Sequence, residues 1–153
     1  MAKGQRQPSA TWYDGTGRAS GVRVSRDPKR LRAYHLAHSL VLTTFRHSAL
    51  LPPHQRFVLQ PQLQRASLSV ACNLVEGSSR QSLKEYRHFV STALASAREA
   101  EYLIRVATEL SYLPAAASEE CGTCCVSVVA LLQNLLTALD KLAPRAERPL
   151  ASS

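Results

Sequence analysis

The chain has 153 residues, of which 45% are hydrophobic, so it is long enough for one domain with a hydrophobic core. Its formal net charge of +8 favours polyanionic partners, because Lys and Arg release counterions from a phosphate backbone. The N-terminal sequence has no apolar signal segment, so we expect a cytoplasmic protein whose four cysteines are reduced thiols, which excludes a disulfide framework.

The charge is unevenly divided along the chain. Residues 1–75 contain eleven Lys or Arg and two Asp, whereas residues 76–153 contain eight Lys or Arg and nine Asp or Glu. No acidic residue occurs at positions 28–75. The first half is therefore expected to carry the surface that contacts a polyanion.

The two ends of the chain are expected to lie outside the folded domain. Residues 1–28 are rich in Gly, Ser, Pro and Arg and show no apolar periodicity, which predicts a flexible basic N-terminal arm. Residues 29–143 are predicted to form one helical bundle. Residues 144–153 are predicted to be a disordered tail.

The first two helices are predicted from apolar residues that recur at helical spacing. The first covers residues 29–47 and ends at Leu51-Pro52-Pro53. The second begins at Pro61, since a proline at the first helical position lacks an N–H that would be unpaired there anyway. Gly77, followed by two serines, is expected to close it.

The third helix has the clearest start signal. Ser82-Leu83-Lys84-Glu85 matches a capping box, in which the Ser hydroxyl accepts from the Glu amide and the Glu carboxylate reaches back. The helix is expected to reach about Leu110. Its apolar seam has a spacing of three and four residues that suits a helical bundle: Leu83, Tyr86, Val90, Ala93, Ala97, Ala100, Ile104 and Ala107.

The fourth helix is predicted to follow Pro114, with Ser118 as its N-cap, and to end near Leu142. Residues 121–139 contain no charged side chain and as a helix would extend roughly 28 Å, close to a bilayer core. Thr123, Gln133 and Asn134 argue against a lipid environment, so we expect no membrane span. The helix lacks a charged solvent face, which predicts that its outer side packs on another subunit.

Two clusters invite a metal or catalytic interpretation. Cys121, Cys124 and Cys125 could share a metal ion, but no second ligand pair is visible, so core packing is favoured. His35 and His38 could bind a metal or act as a base, but no nucleophile or carboxylate accompanies them. We therefore expect neither metal nor cofactor.

Positive side chains in the acid-free segment are the candidates for phosphate contact. The predicted nucleic-acid-binding residues are Arg30, Arg32, His35, Arg46, Arg56 and Arg65.

A row of polar residues follows one face of the second helix. It contains Arg65, Asn73, Glu76 and Arg80, and Glu99 and Glu101 of the third helix are its expected partners. The row is interpreted as structural, joining helices or subunits. The alternative, an enzyme that uses a pair of carboxylates, needs separated pKa values that sequence does not show. We therefore expect no catalytic residues.

Residues 64–77 contain an Asn73-x-x-Glu76-Gly77 segment and are followed by Arg80 and Lys84-Glu85-Tyr86. This pattern resembles the signature of the small "four helix bundle" proteins, first named for proteins encoded within intervening sequences of 23S rRNA genes. That family includes the accessory variability proteins of diversity-generating retroelements. The resemblance covers residues 31–142. Departures from the family pattern are Val58, Ala95 and Ser111, where the family often has Gly, and Ala71, where Pro is frequent.

The resemblance implies an all-α, up-down-up-down four-helix bundle that assembles into a ring-like homopentamer and has no catalytic residues. For the retroelement members it further implies binding of RNA or DNA and of a reverse transcriptase. Two functional hypotheses result. The first is a self-assembling protein that binds nucleic acid and a nucleic-acid-handling partner such as that reverse transcriptase. The alternative is a structural protein–protein adaptor of the 23S rRNA intervening-sequence type with no direct nucleic-acid role.

Overall fold

The computed structural model describes residues 31–142, together with the backbone of two short strands, β1 (Trp12–Tyr13) and β2 (Ala19–Ser20). The strands pair antiparallel, with Trp12 opposite Ser20, and the sequence pattern does not predict this pairing. The remainder of the predicted arm and the predicted tail over residues 144–153 lie outside the described residues.

Residues 31–142 are all-α, as predicted, and form four α-helices. These are α1 (Arg32–Ser48), α2 (Leu59–Ser78), α3 (Leu83–Glu109) and α4 (Ala115–Leu142). A short 3₁₀ helix, Pro53–Gln55, lies in the connection between α1 and α2. Helix α1 begins later than predicted, because Leu31 adopts an extended conformation with φ −86° and ψ 120°.

Helix α2 begins two residues before the predicted start at Pro61, with Val58 as its N-cap. Pro61 is therefore the third residue of the helix. The first four N–H groups of a helix have no partner within it, so the missing N–H of the proline costs no hydrogen bond at this position.

The capping box at the start of α3 is confirmed. The Glu85 amide donates to Ser82 Oγ at 3.1 Å, and the Ser82 amide donates to Glu85 Oε2 at 3.4 Å. The predicted seam is confirmed as well, since all of its members are buried except Leu83, which is half-buried.

Helix α3 ends in a Schellman motif. The Tyr112 amide donates to the Ala107 carbonyl at 2.8 Å, and the Ser111 amide donates to the Thr108 carbonyl at 2.9 Å. Ser111 occupies the left-handed position of this motif, with φ 57°. The motif turns the chain toward Pro114 and α4.

The predicted N-cap of the fourth helix is wrong. Helix α4 begins at Ala115, and the Ser118 amide donates to the Pro114 carbonyl at 2.9 Å, so Ser118 lies inside the first turn. A proline at the helix start and three following alanines favour the earlier start, because Ala has the highest helix propensity.

Each helix packs against the next along the chain, and α1 also packs against α4. The main core lies between the four helices and contains Leu40, Leu63, Val90 and Leu132 among others. A smaller apolar cluster of Leu51, Leu59, Ala107 and Leu113 joins the α1–α2 connection to the α3–α4 connection. The two connections therefore lie at the same end of the bundle.

Candidate nucleic-acid interface

The outward side of α1 carries an exposed stripe of four polar residues and one leucine. Arg32, His35, Ser39, Leu42 and Arg46 recur at alternate spacings of three and four residues, and all five are exposed. We call these five residues the α1 stripe. It contains three of the predicted nucleic-acid-binding residues. Arg32 and Arg46 lie fourteen positions apart, roughly 21 Å along the helix axis.

The two ends of the α1 stripe differ in how their charge is compensated. Arg46 Nη1 lies 3.3 Å from Glu120 Oε1 at the start of α4, and His47 Nε2 lies 2.6 Å from Glu120 Oε2. The hydrogen bond from His47 is the main cause that lowers the pKa of the Glu120 carboxyl, and the charge of Arg46 adds to it. Within residues 31–142, Arg32 forms no ion pair. The positive charge of the stripe is therefore least compensated at its N-terminal end.

The remaining candidates lie in different surroundings. Arg65 Nη2 donates to Glu99 Oε1 of α3 at 2.7 Å and to Gln62 at 2.9 Å, so it joins α2 to α3. Arg56 is exposed in the α1–α2 connection and has no ion-pair partner in the described part of the chain. Arg30 lies outside the described residues. The structure thus brings Arg32, His35 and Arg46 onto one helix face and places Arg56 and Arg65 apart from it.

The polar row on α2 forms hydrogen bonds along and between helices. Ser69 Oγ lies 2.9 Å from Ser96 Oγ of α3, and Asn73 Nδ2 donates to the Ser69 carbonyl at 2.8 Å. Glu76 accepts from Arg80 one turn later on α2. These contacts show that the row lies beside α3.

Of the three arginine–carboxylate contacts near this row, one joins α2 to α3 and two are local in sequence. Arg80 also covers the Phe89 ring, with its guanidinium carbon 4.7 Å from the ring centroid. Glu101 accepts from Arg98 of its own helix at 2.9 Å. The expected partnership between the two helices is therefore made by Arg65 and Glu99, whereas Glu76 and Glu101 pair within their own helices.

The cysteines of α4 face the core. Cys121 and Cys125 are fully buried, and burial raises the pKa of Cys121 to about 11 and that of Cys125 to about 12. Cys125 Sγ lies 3.3 Å from the Ala97 carbonyl. Across residues 31–142, no three His, Cys, Asp or Glu residues cluster closely enough to hold a metal ion. His38 stacks on Tyr34, with ring centroids 6.0 Å apart.

Charge is separated between the two halves of the bundle. Residues 31–78, which include α1 and α2, contain four Arg and one Glu, whereas residues 83–142 contain five Lys or Arg and seven Asp or Glu. Because α1 packs on α2 and α3 packs on α4, the separation along the chain is also a separation in space. The α1–α2 half, with a net charge of +3, is the basic side, and the α3–α4 half, with a net charge of −2, is the acidic side. Arg46 and Arg65 of the basic side are paired with Glu120 and Glu99 of the acidic side, so Arg32 and Arg56 are its arginines without an ion pair among residues 31–142.

The outer side of α4 is uncharged over four turns. Exposed residues of this surface, which we call the α4 face, are Thr123, Val126, Ser127, Ala130, Gln133, Asn134, Thr137 and Ala138. Among the residues that the structure describes, α4 is long and apolar enough to cross a membrane, with a mean hydropathy of 1.7 over its most apolar 18-residue window. A core helix of a helical bundle meets the same criterion. Only 28% of that window is buried within one chain, so a single copy covers only the inner side.

Two features of the surface were missed by the reasoning from sequence. His47 contacts Glu120 across 73 positions of sequence, and no local pattern signals such a pair. Phe57 is 86% exposed at the tip of the α1–α2 connection. The sequence shows an aromatic residue in the connection between two predicted helices, but its exposure depends on how that connection folds.

A family model described as "23S rRNA-intervening sequence protein" matches residues 29–134. The match includes all of α1, α2 and α3 and most of α4, together with the Asn73-x-x-Glu76-Gly77 segment. No curated protein matches the sequence.

Proposed function

The chain belongs to the family of 23S rRNA-intervening sequence proteins, and from this premise we propose that it is a non-enzymatic, self-assembling protein that binds RNA or DNA. In this proposal the helices have an up-down-up-down order, and copies of the chain form a ring-like homopentamer in the cytoplasm. The protein also binds a nucleic-acid-handling partner, such as the reverse transcriptase of a diversity-generating retroelement.

The observation that carries the proposal is the separation of charge between the two halves of the bundle. A basic side made of α1 and α2 attracts a phosphate backbone, whereas an even distribution of the same charges would not favour one side. Arg32 and His35, at the N-terminal end of the α1 stripe, lie next to Arg30 in the sequence. We propose that this end makes the main phosphate contacts.

Self-assembly is supported by the α4 face. An exposed helix surface without charge over four turns is unusual for a monomer. Covering it by a second copy removes the apolar area of Val126, Ala130 and Ala138 from water without desolvating an ion. Repetition of the α1 stripe around a ring would raise the avidity for a long polyanion, because the second and later contacts become intramolecular.

The test measures binding of fluorescent single-stranded and duplex oligonucleotides by anisotropy at several salt concentrations. We expect affinity to fall steeply with salt and to depend little on base sequence. Arg32→Glu should weaken binding and lower the slope of log affinity against log salt by about 1 for each phosphate that the variant no longer neutralises.

Lys84→Glu is the matched control, since it makes the same charge change at an exposed position on the acidic side. It should leave the affinity near that of the unsubstituted protein. Equal losses from the two variants, or no binding of any oligonucleotide at about 50 mM salt, would rule out the proposed interface.

The alternative is a structural adaptor that binds a protein through the α4 face and has no direct nucleic-acid role. The uncharged outer surface of α4, which a single copy leaves exposed, is the observation that favours it. The two functions predict different sensitive residues. An adaptor complex would survive Arg32→Glu and would dissociate when a charge is placed on the α4 face.

A further inference from the structure

A groove opens between the end of α3 and the start of α4. It has a volume of about 580 Å³. Its buried lining residues are Ile104, Ser118 and Cys125, and Gly122 leaves space above them because no atom lies within 4 Å of a Cβ built there. The groove thus has an apolar floor that is wide enough for a large side chain.

Two features of this groove are unsatisfied within one chain. Ser118 is 8% exposed, and its hydroxyl has no hydrogen-bond partner among residues 31–142. Glu109 and Glu119 are exposed lining residues, and neither forms an ion pair with the described part of the chain.

The α1–α2 connection has the complementary features. Phe57 is 86% exposed and Val58 is 62% exposed, which are high values for apolar side chains beside a folded helix. Arg56 precedes them and has no carboxylate partner in residues 31–142. The segment therefore offers a large apolar side chain and a cation. The groove offers an apolar floor and the carboxylates of Glu109 and Glu119, which outnumber its one exposed cation, Arg105, whose guanidinium lies over the Tyr102 ring.

The positions of the two features suit a closed ring. The α1–α2 connection and the groove lie at the same end of the bundle, because His54 contacts Tyr112 with ring centroids 5.5 Å apart and His47 contacts Glu120. The connection belongs to the α1–α2 side, whereas the groove lies between α3 and α4. The connection and the groove therefore lie at the same height on different sides of the bundle. A head-to-tail contact between two such surfaces relates neighbouring copies by rotation without translation, and repeated rotation can close a ring.

We propose that Arg56 and Phe57 of one subunit insert into the α3–α4 groove of the next subunit, with Phe57 on the apolar floor and Arg56 beside Glu109 and Glu119. The inference rests on the self-assembly in the proposed function, and it states which surfaces of neighbouring subunits meet. It joins the basic side of one copy to the acidic side of the next, and it continues onto the α4 face through Val126, which also lines the groove. It gives Arg56 a carboxylate partner in place of a phosphate.

Disulfide trapping tests the contact in the full chain. The background carries Cys72→Ser, because Cys72 is an exposed free thiol. Phe57→Cys and Val126→Cys are introduced separately and together, and the proteins are oxidised and run on non-reducing gels. We expect the double variant to form a ladder of covalent multimers. An equal mixture of the two single variants should form covalent dimers only, since each subunit then carries one introduced thiol and can be joined to one neighbour.

The other possible results distinguish failure of the proposed contact from failure of the proposed assembly. Covalent dimers from Phe57→Cys alone would show that two copies of the connection meet each other, which overturns the head-to-tail contact. No cross-link in a protein that light scattering shows to be multimeric would show that other surfaces assemble, and the proposed function would keep its assembly. A monomer in light scattering would remove both the contact and the proposed assembly.

Charge reversal supplies a second readout. Arg56→Glu and Glu109→Arg should each raise the concentration at which the multimer dissociates by about tenfold, and the two substitutions together should recover most of that loss. Lys84→Glu, the matched control, should leave the dissociation concentration unchanged. Additive losses in the double variant would overturn the proposed pairing of Arg56 with the groove carboxylates.

Discussion

Gly77 sets how closely the end of α2 approaches α3. A Cβ added to Gly77 would lie 2.8 Å from the Phe89 Cβ, and a Cβ has no rotamer by which it could move away. Gly77→Ala should lower the free energy of unfolding by about 1 kcal/mol, because overpacking costs about 1–3 kcal/mol and the higher helix propensity of Ala offsets about 1 kcal/mol. Urea unfolding followed by circular dichroism measures the change.

Gly122→Ala is the control for Gly77→Ala. Gly122 lies inside α4 with no neighbouring atom within 4 Å of the added Cβ, so the substitution should keep or raise the unfolding free energy of a single chain. Both variants are compared at a protein concentration where the chain is monomeric, because Gly122 also lines the groove of the proposed subunit contact. If the two variants lost stability equally, the contact with Phe89 would not be the reason for a glycine at position 77.

Ser111 is a residue whose backbone conformation suits glycine better. Its φ of 57° lies in the left-handed region, which a glycine adopts without the steric cost of a side chain. Ser111→Gly should therefore raise the free energy of unfolding by roughly 0.5–1 kcal/mol. Ser91→Gly, at an exposed position inside α3, should lower it by roughly 0.5–1 kcal/mol. Replacing serine by glycine should thus raise the free energy of unfolding at position 111 and lower it at position 91. A loss of stability at both positions would show that the left-handed backbone of Ser111 is not strained.

At the scale of one helix, the start of α3 depends on the Ser82 and Glu85 capping box. Ser82→Ala should cost about 1 kcal/mol of unfolding free energy at neutral pH, because the Glu85 amide loses its acceptor. Ser91→Ala, on the exposed face of the same helix, is the control and should be neutral or slightly stabilising. Thermal unfolding of both variants measures the difference.

The capping box also has a pH dependence. The hydrogen bonds from Ser82 lower the pKa of the Glu85 carboxyl below its ordinary value of 4.5, so the ionised form is stabilised in the folded state. This contribution is complete above about pH 4.5 and is lost as the pH falls through the lower native pKa. The stability difference between the unsubstituted protein and Ser82→Ala should therefore shrink in acid. A constant difference from pH 7 to pH 3 would contradict this cause.

The first residue of a helix was predicted correctly where the sequence offers a single start signal. Ser82 and Glu85 gave α3 its correct start because no competing cap lies nearby. The start of α4 was wrong because Ser118 competes with Pro114 and three alanines, and helix propensity favoured the earlier residue. Pro61 was placed at the first helical position, but any position in the first turn tolerates a missing N–H.

The candidate site was less predictable than the helices, because contacts between helices depend on packing. The spacing of Arg32, His35 and Arg46 was sufficient to place them on one exposed face of α1. The pairing of Arg46 with Glu120 was not visible in the sequence, since the two residues are 74 positions apart. The exposure of Phe57 likewise becomes apparent only when the connection is seen beside the folded helices.

At the scale of the whole molecule, the separation of charge and the α4 face point to the same kind of assembly. A basic side and an acidic side on one chain attract each other between copies, and an uncharged surface between them can be covered without desolvating ions. The proposed contact involves the α1–α2 connection, which follows the end of α1, so Arg32 at the start of α1 stays outside it. Assembly and nucleic-acid binding are then compatible in one particle.

A charge on the α4 face tests whether that surface is covered in solution. Ala130 is an exposed, small residue in the middle of the face, so Ala130→Glu should leave the chain folded. If a second copy packs there, the buried and unpaired carboxylate should dissociate the multimer, because burying a lone charge is costly. Light scattering after size exclusion measures the mass, and circular dichroism confirms the helix content.

Ser91→Glu is the matched control for Ala130→Glu, because Ser91 is exposed on α3 among polar neighbours such as Arg87 and His88. The control should retain the mass of the unsubstituted protein. Sedimentation with lipid vesicles distinguishes a subunit interface from a membrane span as the reason for the uncharged surface of α4. A membrane-spanning helix would bind vesicles, and Ala130→Glu would lose that binding. A monomeric unsubstituted protein with no affinity for vesicles would contradict both explanations, because the uncharged face of α4 would then be stable in water.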